Sequence, residues 1–243
     1  MNKLLYFIAI SFMSICLCSC SVEKSKNDLN DNYRIVESIY TDNNETANQF
    51  VDIKYPQICG LGNNHVEQSI NDQIKTTALE VLDEFTTLDE MEISVKYSLD
   101  ISSPSYLSLH FIRKSFHSAQ AYPLIRIIAL NFDIDSGEKI ILKDVISIDD
   151  NFVKSFFHNF QLQGSYESLD EKNIINKYVS EVISIEKFYA CDEDLFSDCQ
   201  SYFTDNSLFI SIAVPYSAGS YAVYEAKFTD INELLNDKLI DGK

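Results

Sequence analysis

The stretch Glu-Ile-Ser-Val-Lys-Tyr-Ser-Leu-Asp-Ile at residues 92–101 decides the fold class. Its apolar residues occupy every second position, which is the period of a strand that buries one face and exposes the other. Two further strand-like segments follow, at residues 106–114 and 124–132. Three such segments in succession are typical of an antiparallel sheet with one face on a core.

Helical patterns lie before and after these strands. Apolar residues at helical spacing run from residue 66 to residue 85, after a turn at residues 60–64. Two more helical patterns lie near residues 149–161 and 170–186. Because the helices are inserted between runs of strands instead of alternating with single strands, the sequence predicts an α+β fold of antiparallel sheets with packed helices.

Shorter patterns complete this prediction. Residues 49–55 are typical of a strand that Pro56 ends, and residues 133–139 are typical of a turn that closes a hairpin onto residues 140–142. Near the C-terminus the patterns predict three strands, at residues 200–203, 208–214 and 221–228, and a closing helix at residues 231–239 that Asp230 caps.

The N-terminus is typical of a bacterial lipoprotein. Lys3 precedes an apolar run at residues 4–17 that is too short to span a bilayer. Leu17 and Ser19 stand three residues and one residue before Cys20, which suits cleavage before that cysteine. A buried helix or an ordinary secretory signal would explain the apolar run but not this cysteine. The sequence therefore predicts a signal peptide at residues 1–19 and lipidation of Cys20.

The segment after the predicted cleavage site is polar. Residues 20–46 are rich in Asn, Asp and Ser, which predicts a lipidated flexible tether. Within it, residues 33–40 alternate weakly, as a first strand would. The lipid predicts attachment to a bacterial membrane, the outer one if the cell has two, with the domain outside the cytoplasm in the cell envelope. No second apolar run of spanning length follows, so no transmembrane helix is expected.

The charge balance narrows the choice of partners. The chain has 19 Lys and Arg residues and 37 Asp and Glu residues. Cleavage would remove only Lys3 among them, which leaves 18 basic and 37 acidic residues and a formal charge of −19. This balance argues against nucleic acid and anionic lipid headgroups as partners. It favours a cationic partner, or it serves solubility alone.

Three cysteines follow Cys20. Because exported proteins meet oxidising conditions, Cys191 and Cys199 are predicted to form a disulfide. Closing this short loop would stabilise the fold by about 2–3 kcal/mol. The alternatives are two reduced buried thiols or a metal pair, and a metal is disfavoured because no histidine lies nearby. Cys59 is left as either a buried apolar residue or a reactive thiol.

No catalytic motif is evident in the sequence. The chain has four histidines and none stands in His-x-x-x-His spacing, and no Gly-x-Ser-x-Gly motif occurs. Its six glycines form no phosphate-binding loop. The sequence therefore predicts no enzyme activity, no metal and no cofactor. The 37 acidic residues still leave carboxylate pairs for glycoside chemistry open.

Four residues are candidates for contact with a ligand. His117 and Tyr122 lie in the predicted loop between the second and third strands, and Tyr216 and Tyr221 flank a bend near the C-terminus. Loops carry binding residues more often than strands do, and tyrosine is enriched at interfaces. A solvated loop and ordinary strand packing are the alternative explanations for the two pairs.

Several segments, in order, resemble one family of envelope proteins. They are Tyr55-Pro56 with Asn63 and the following helix, residues 121–145 with Asp-Ser-Gly-Glu-Lys at 135–139, residues 202–219, and residues 230–235. Together they cover about residues 47–239. The chain resembles the DUF4163/DUF3298 pair of domains. That pair occurs in bacterial lipoproteins, at the N-terminus of peptidoglycan deacetylases and in the ectodomain of the lysozyme-sensing anti-sigma factor.

The resemblance implies a DUF4163-like part at residues 47–120 and a DUF3298-like part at residues 121–240, packed as one globular unit. It implies an envelope binding or sensing module. The chain shows no deacetylase domain, so we expect a non-catalytic, lipid-anchored binding module. Its ligand would be a cationic wall-active protein such as lysozyme, or peptidoglycan. The alternatives are an enzyme that modifies envelope polysaccharide and a structural lipoprotein of envelope assembly.

The lipid anchor is tested by Cys20→Ser. We expect this variant to move from the membrane fraction to the soluble fraction, because the acceptor thiol for the lipid is lost. Cys18→Ser is the matched control and should stay in the membrane fraction. Fractionation followed by immunoblotting measures the distribution. A Cys20→Ser variant as membrane-bound as the parent chain would place the anchor elsewhere.

Overall fold

A computed structural model of the protein describes residues 32–164, 169–195 and 197–236. The predicted signal peptide, Cys20 and the first part of the predicted tether lie outside these described residues. Within the described ranges, no helix combines the length and the apolar character that crossing a bilayer requires.

The first sheet has five strands in the spatial order β1-β2-β3-β4-β5. These strands are β1 (Arg34–Thr41), β2 (Phe50–Cys59), β3 (Met91–Ser102), β4 (Tyr106–His117) and β5 (Leu124–Asp133). Neighbouring strands are antiparallel except β2 and β3, which are parallel. The expectation of purely antiparallel sheets is therefore wrong at this pair. A helix connects β2 to β3, and such a crossover returns the chain in its original direction.

That helix, α1 (Asn64–Leu79), covers one face of the first sheet. The Asn63 side chain caps it by accepting hydrogen bonds from the backbone N–H groups of His65 and Val66. Its apolar stripe includes Ile70 and Ile74, which are fully buried against the sheet. A 3-10 turn at Glu80–Glu84 continues the helix. The predicted helical stripe over residues 66–85 is therefore confirmed.

The second sheet has four antiparallel strands in the spatial order β6-β9-β8-β7. The strands are β6 (Gln161–Leu162), β7 (Cys199–Phe203), β8 (Ser207–Ala213) and β9 (Tyr221–Lys227). The helices that cover it are α2 (Leu142–Val145), α3 (Asp150–Asn159), α4 (Leu169–Val182) and α5 (Ile185–Tyr189). Two sheets, each with helices on one face, make the fold α+β, as the sequence predicted.

A cluster of aromatic rings fills the second core. Phe152, Phe156 and Phe188 are fully buried and contact one another with ring centroids 4.8–6.2 Å apart. Tyr224 of β9 joins Phe156 at 5.0 Å, and its hydroxyl donates to Asn176 of α4. These contacts fix α3, α4 and α5 on the inner face of the second sheet.

Hydrogen bonds between buried polar groups join the two sheets. The Asn131 side chain of β5 accepts from the Ser108 hydroxyl at 2.7 Å and donates to the Ser201 carbonyl of β7 at 2.9 Å. The Phe203 N–H donates to the Ser108 hydroxyl at 3.1 Å. We call this set of bonds the inter-sheet seam. All four residues are at least 98% buried, so the seam excludes water.

The structure corrects the boundary of the tether. Strand β1 lies within residues 20–46, pairs with β2 along its whole length and buries part of Ile35 and Tyr40 against the first core. Any flexible tether therefore ends before Arg34. The weak alternation at residues 33–40 was sufficient for a strand because β2 supplies its partner.

Three local predictions are also wrong. Strand β2 continues through Pro56, which lies beyond the last β2–β3 pair, where β1 is the only strand neighbour. The turn at residues 133–139 is followed by one bridge, between Phe132 and Lys139, and then by α2 instead of a hairpin strand. At the C-terminus a 3-10 turn at Asn232–Leu234 replaces the predicted helix up to residue 236.

Cys191 and Cys199 form a disulfide, as the sequence predicted. The residue after Cys191, Asp192, is fully buried and ties this loop to two other elements. Its carboxylate accepts from the Ser201 N–H at 2.6 Å, the Ser201 hydroxyl at 2.5 Å and the Leu142 N–H at 3.0 Å. Burial raises the pKa of Asp192 to about 6, although these hydrogen bonds and Lys139 act to lower it.

The raised pKa of Asp192 predicts a pH-dependent effect of Asp192→Asn. Folding favours the protonated carboxyl, so its stabilisation is complete below the ordinary value of 3.8 and is lost as the pH rises through about 6. Asparagine does not titrate. We therefore expect the free energy of unfolding lost in the variant to be larger near pH 4 than near pH 7, by up to about 3 kcal/mol.

Urea unfolding of the mature chain, residues 20–243 with Cys20→Ser, measures this difference. Asp205→Asn, at an exposed turn between β7 and β8, is the matched control and should follow the parent chain at every pH. An equal loss for Asp192→Asn at both pH values would contradict the assigned shift.

Candidate functional site

A cleft lies where the two sheets diverge, beyond one end of the inter-sheet seam. Its volume is about 190 Å³. It is lined by the beginning of β5 at residues 124–127, by the segment around Asp198 and Gln200, by Ser211 and Ala213 of β8, and by the β8–β9 connection. We call this feature the inter-sheet cleft.

Two tyrosines predicted as ligand contacts pack against each other here: Tyr216 lines the cleft, and Tyr122 contacts it from outside the lining. The rings of Tyr122 and Tyr216 lie 4.5 Å apart between centroids, with their planes tilted by 40°. Tyr122 is 64% exposed and Tyr216 is 37% exposed. Desolvation and the neighbouring Tyr122 raise the pKa of Tyr216. The pair presents an aromatic surface to solvent.

The β8–β9 connection holds Tyr216 in place. Tyr216 begins a 3-10 turn at Tyr216–Ala218, which follows Pro215. Gly219 ends the turn with a φ of 97°, a conformation that side chains with a Cβ rarely adopt, and its N–H donates to the Tyr216 carbonyl at 3.1 Å. The Val214 N–H donates to the Ser220 carbonyl and closes the loop.

The third predicted tyrosine, Tyr221, lies inside the cleft. It is the first residue of β9 and pairs with Ala213 of β8. Its side chain is half-buried and packs with Ile127 and Tyr202 between the two sheets. The structure therefore places Tyr216 and Tyr221 in the lining of the cleft and Tyr122 against Tyr216.

His117 lies apart from these tyrosines and does not line the cleft. It ends β4, where its Nδ1 accepts from the Ala119 N–H at 3.0 Å and its own N–H donates to the Gln120 side chain at 3.1 Å. Both bonds shape the turn after β4. The prediction that His117 lies in a loop with Tyr122 is wrong, because His117 is the last residue of β4 and pairs with β3. Tyr122 does lie in the loop, and it reaches the site only through its contact with Tyr216.

The sequence analysis did not identify two polar residues of the lining, Ser211 and Gln200. Ser211 is 4% exposed and lines the cleft, and its hydroxyl makes no hydrogen bond to any described residue. Gln200 is occupied, because its Oε1 accepts from the Ala129 N–H and its Nε2 donates to the Asp194 carbonyl. The one sequence feature that could have indicated Ser211 is a polar residue within an otherwise apolar strand.

Charge is sparse and balanced in the described lining of the cleft. Arg126 and Asp198 are its charged residues. Asp198 also pairs with Lys187 at 3.2 Å. The cleft is therefore close to neutral in a chain whose formal charge is −18.

A second polar cluster lies between the sheets. His110 Nδ1 and Asp100 Oδ2 are 2.8 Å apart, and the His110 ring stacks on Tyr202 at 4.3 Å. Burial raises the pKa of Asp100, although the bond from His110 acts to lower it. Burial and then the nearby Asp100 raise the pKa of Tyr202. Among the described residues, no hydroxyl or thiol hydrogen-bonds this histidine.

Across the described ranges, no group of three or more His, Cys, Asp or Glu side chains is arranged to hold a metal ion.

No family model matches the sequence, and no curated protein matches it. Solved structures similar to the chain include two proteins of the DUF3298 family. A DUF3298 family protein from Pseudomonas aeruginosa PAO1 has a TM-score of 0.50 at 10% sequence identity, over 84% of this chain and 94% of that chain. A member of the DUF3298 family from Bacteroides fragilis NCTC 9343 has a TM-score of 0.49 at 11% identity, over 86% of this chain and 95% of that chain.

The likeness to the P. aeruginosa protein confirms, at the level of the fold, the resemblance to the DUF3298 family that the sequence predicted. At 10% identity it shows the fold alone. Neither structure carries a name that states an activity. The functional assignment therefore depends on the site itself.

Two buried serines give a test of the open hydroxyl in the cleft. Ser211→Ala should change the free energy of unfolding by less than about 0.5 kcal/mol, because no described residue loses a partner. Ser201→Ala, one strand away, should cost about 1–3 kcal/mol, because its hydroxyl donates to the buried Asp192 carboxylate. Urea unfolding of both variants measures the contrast. Equal losses would show that the Ser211 hydroxyl has a structural partner.

Proposed function

We propose that this protein is an exported, lipid-anchored binding module of the bacterial cell envelope that acts without catalysis. The observation that carries the proposal is the inter-sheet cleft, with Tyr216 in its lining and the exposed Tyr122 beside Tyr216. Tyr122 and Tyr216 come from separate loops on a rigid pair of sheets, which is how binding residues are commonly presented.

The polar groups at the cleft support binding without a reaction. The hydroxyls of Tyr216 and Ser211 serve as donors and acceptors at neutral pH but are poor acids and bases there. Asp198, the carboxylate in the lining, is exposed and ion-paired with Lys187. Such groups orient a ligand, whereas general acid–base catalysis needs a group that titrates near the working pH.

The charge of the chain supports a cationic wall-active protein such as lysozyme as the macromolecular partner. The predicted mature chain carries 18 basic and 37 acidic residues. Such a surplus accelerates the approach of a cationic protein and weakens with added salt. The resemblance to the lysozyme-sensing ectodomain points to the same partner. The predicted location in the cell envelope and the same resemblance also favour peptidoglycan as a second ligand.

The N-terminal sequence supports the proposed location in the cell envelope. A lipid on Cys20 would hold the folded domain close to a bacterial membrane, and any signal from a bound ligand would then pass through another protein. The disulfide between Cys191 and Cys199 suits an oxidising compartment outside the cytoplasm.

Calorimetry with lysozyme tests the proposed partner. We expect the mature chain with Cys20→Ser to give binding heat with lysozyme at about 50 µM and low salt, and an affinity at least about tenfold weaker at physiological salt. An acidic protein of similar size is the control and should give no heat.

Absence of heat with lysozyme at low salt would remove lysozyme as the partner. Co-sedimentation with purified peptidoglycan then decides the broader proposal. A chain that neither binds lysozyme nor sediments with peptidoglycan would contradict the assignment as a wall-directed binding module.

A further inference from the structure

We propose that the inter-sheet cleft binds an uncharged saccharide, with one sugar ring stacked on Tyr216 and its hydroxyls bonded to Ser211 and Tyr221. This inference rests on the proposed function in one respect, that the cleft is a ligand site. It goes further because it assigns the chemical class of the ligand and the role of each contact.

The aromatic surface fits one face of a pyranose ring. A pyranose has apolar C–H groups on its faces and hydroxyl groups around its rim. Tyrosine combines an apolar ring with a polar tip, so it covers the face of a sugar while its hydroxyl reaches the rim. Tyr216 offers such a ring in the lining of the cleft and is 37% exposed, and Tyr122, which is 64% exposed, packs beside it.

The interior of the cleft supplies the complementary hydroxyls. Ser211 is 96% buried, faces the cleft and makes no hydrogen bond to any described residue. The hydroxyl is not one of the fully buried polar atoms that lack a partner among the described residues, so it is reached from the cleft and can bond to a ligand hydroxyl there. A sugar hydroxyl both donates and accepts, and so does serine, so the two groups match in either direction.

The charge of the lining favours an uncharged ligand over a cationic side chain. Arg126 lines the same cleft as Asp198, and Asp198 is already paired with Lys187. An arginine or lysine from a protein partner would therefore find the one described carboxylate of the lining already paired. An anion would meet the negative field of a chain with a formal charge of −18.

The size of the cleft limits how much of the saccharide enters. Its volume of about 190 Å³ is smaller than the roughly 300–1,000 Å³ of sites that enclose drug-sized ligands. One ring therefore enters, and a neighbouring ring lies on the tyrosines at the mouth. A short oligosaccharide is accordingly a better probe than a free monosaccharide.

NMR titration of the mature chain with Cys20→Ser tests this assignment. The probes are triacetylchitotriose and maltotriose, both uncharged, and acetyl-arginine amide as the cationic comparison. With at least one trisaccharide we expect shifts confined to the amides of residues 122–127 and 211–221, and a dissociation constant on the order of 1 mM. Acetyl-arginine amide should produce no shifts there.

Variants locate the contact. Tyr216→Ala should weaken trisaccharide binding by at least about tenfold, the loss expected when a stacking ring is removed. Tyr189→Ala removes a tyrosine that is 45% exposed and outside the lining, and should leave binding within about twofold. If Tyr216→Ala fails to fold, Tyr122→Ala replaces it, because that side chain is mostly exposed.

Three results would overturn the inference. These are no shifts with either trisaccharide at about 20 mM, equal weakening by the cleft and control variants, or shifts with acetyl-arginine amide alone. The lysozyme and peptidoglycan experiments do not require the cleft. Success there together with failure here would remove the saccharide assignment and leave a binding module that takes another ligand or binds through another surface.

Discussion

The buried side chain of Asn131 is the constraint on which the rest of the structure depends. It accepts from Ser108 on the neighbouring strand of its own sheet and donates to the Ser201 carbonyl of the other sheet. Each of these groups would cost about 1–3 kcal/mol if it were buried without a partner. Any sliding of one sheet over the other would break several of these bonds together, so the sheets have one favourable arrangement.

The position of the cleft follows from where these bonds end. Gln200 marks the boundary, because its side chain accepts from the Ala129 N–H at the seam and also lines the cleft. Beyond it, the beginning of β5 and the β8–β9 connection diverge, and no backbone bond joins them among the described residues. The disulfide loop also contacts this region. Its Asp192 carboxylate accepts from the Ser201 N–H, and the Ser201 carbonyl accepts from Asn131. The cleft is therefore preorganised by buried bonds, and its tyrosines stand on a rigid base.

Sequence periodicity predicted the parts of the fold that depend on local pattern. The alternation at residues 92–101 and the stripe of α1 each bury one face, so β3 and α1 were found. The parallel pairing of β2 with β3 was missed, because a strand carries no local mark of its partner's direction. The segment at Asn232–Leu234 was predicted as part of a helix but forms a 3-10 turn. The helix does not continue because residue 235 bridges to Ile146, which is far away in the sequence.

The same limit applies to the site. Tyr122, Tyr216 and Tyr221 were found by residue type and loop position, but their convergence depends on the packing of two sheets. Ser211 became a candidate only once its burial was known.

The proposed function assigns different roles to the net charge of the chain and to the cleft. In the proposed function, net charge acts over a Debye length of about 8 Å at physiological salt and influences which proteins approach. The proposed saccharide would instead be selected by contact in the near-neutral cleft, through its shape and hydroxyls, with little dependence on ionic strength.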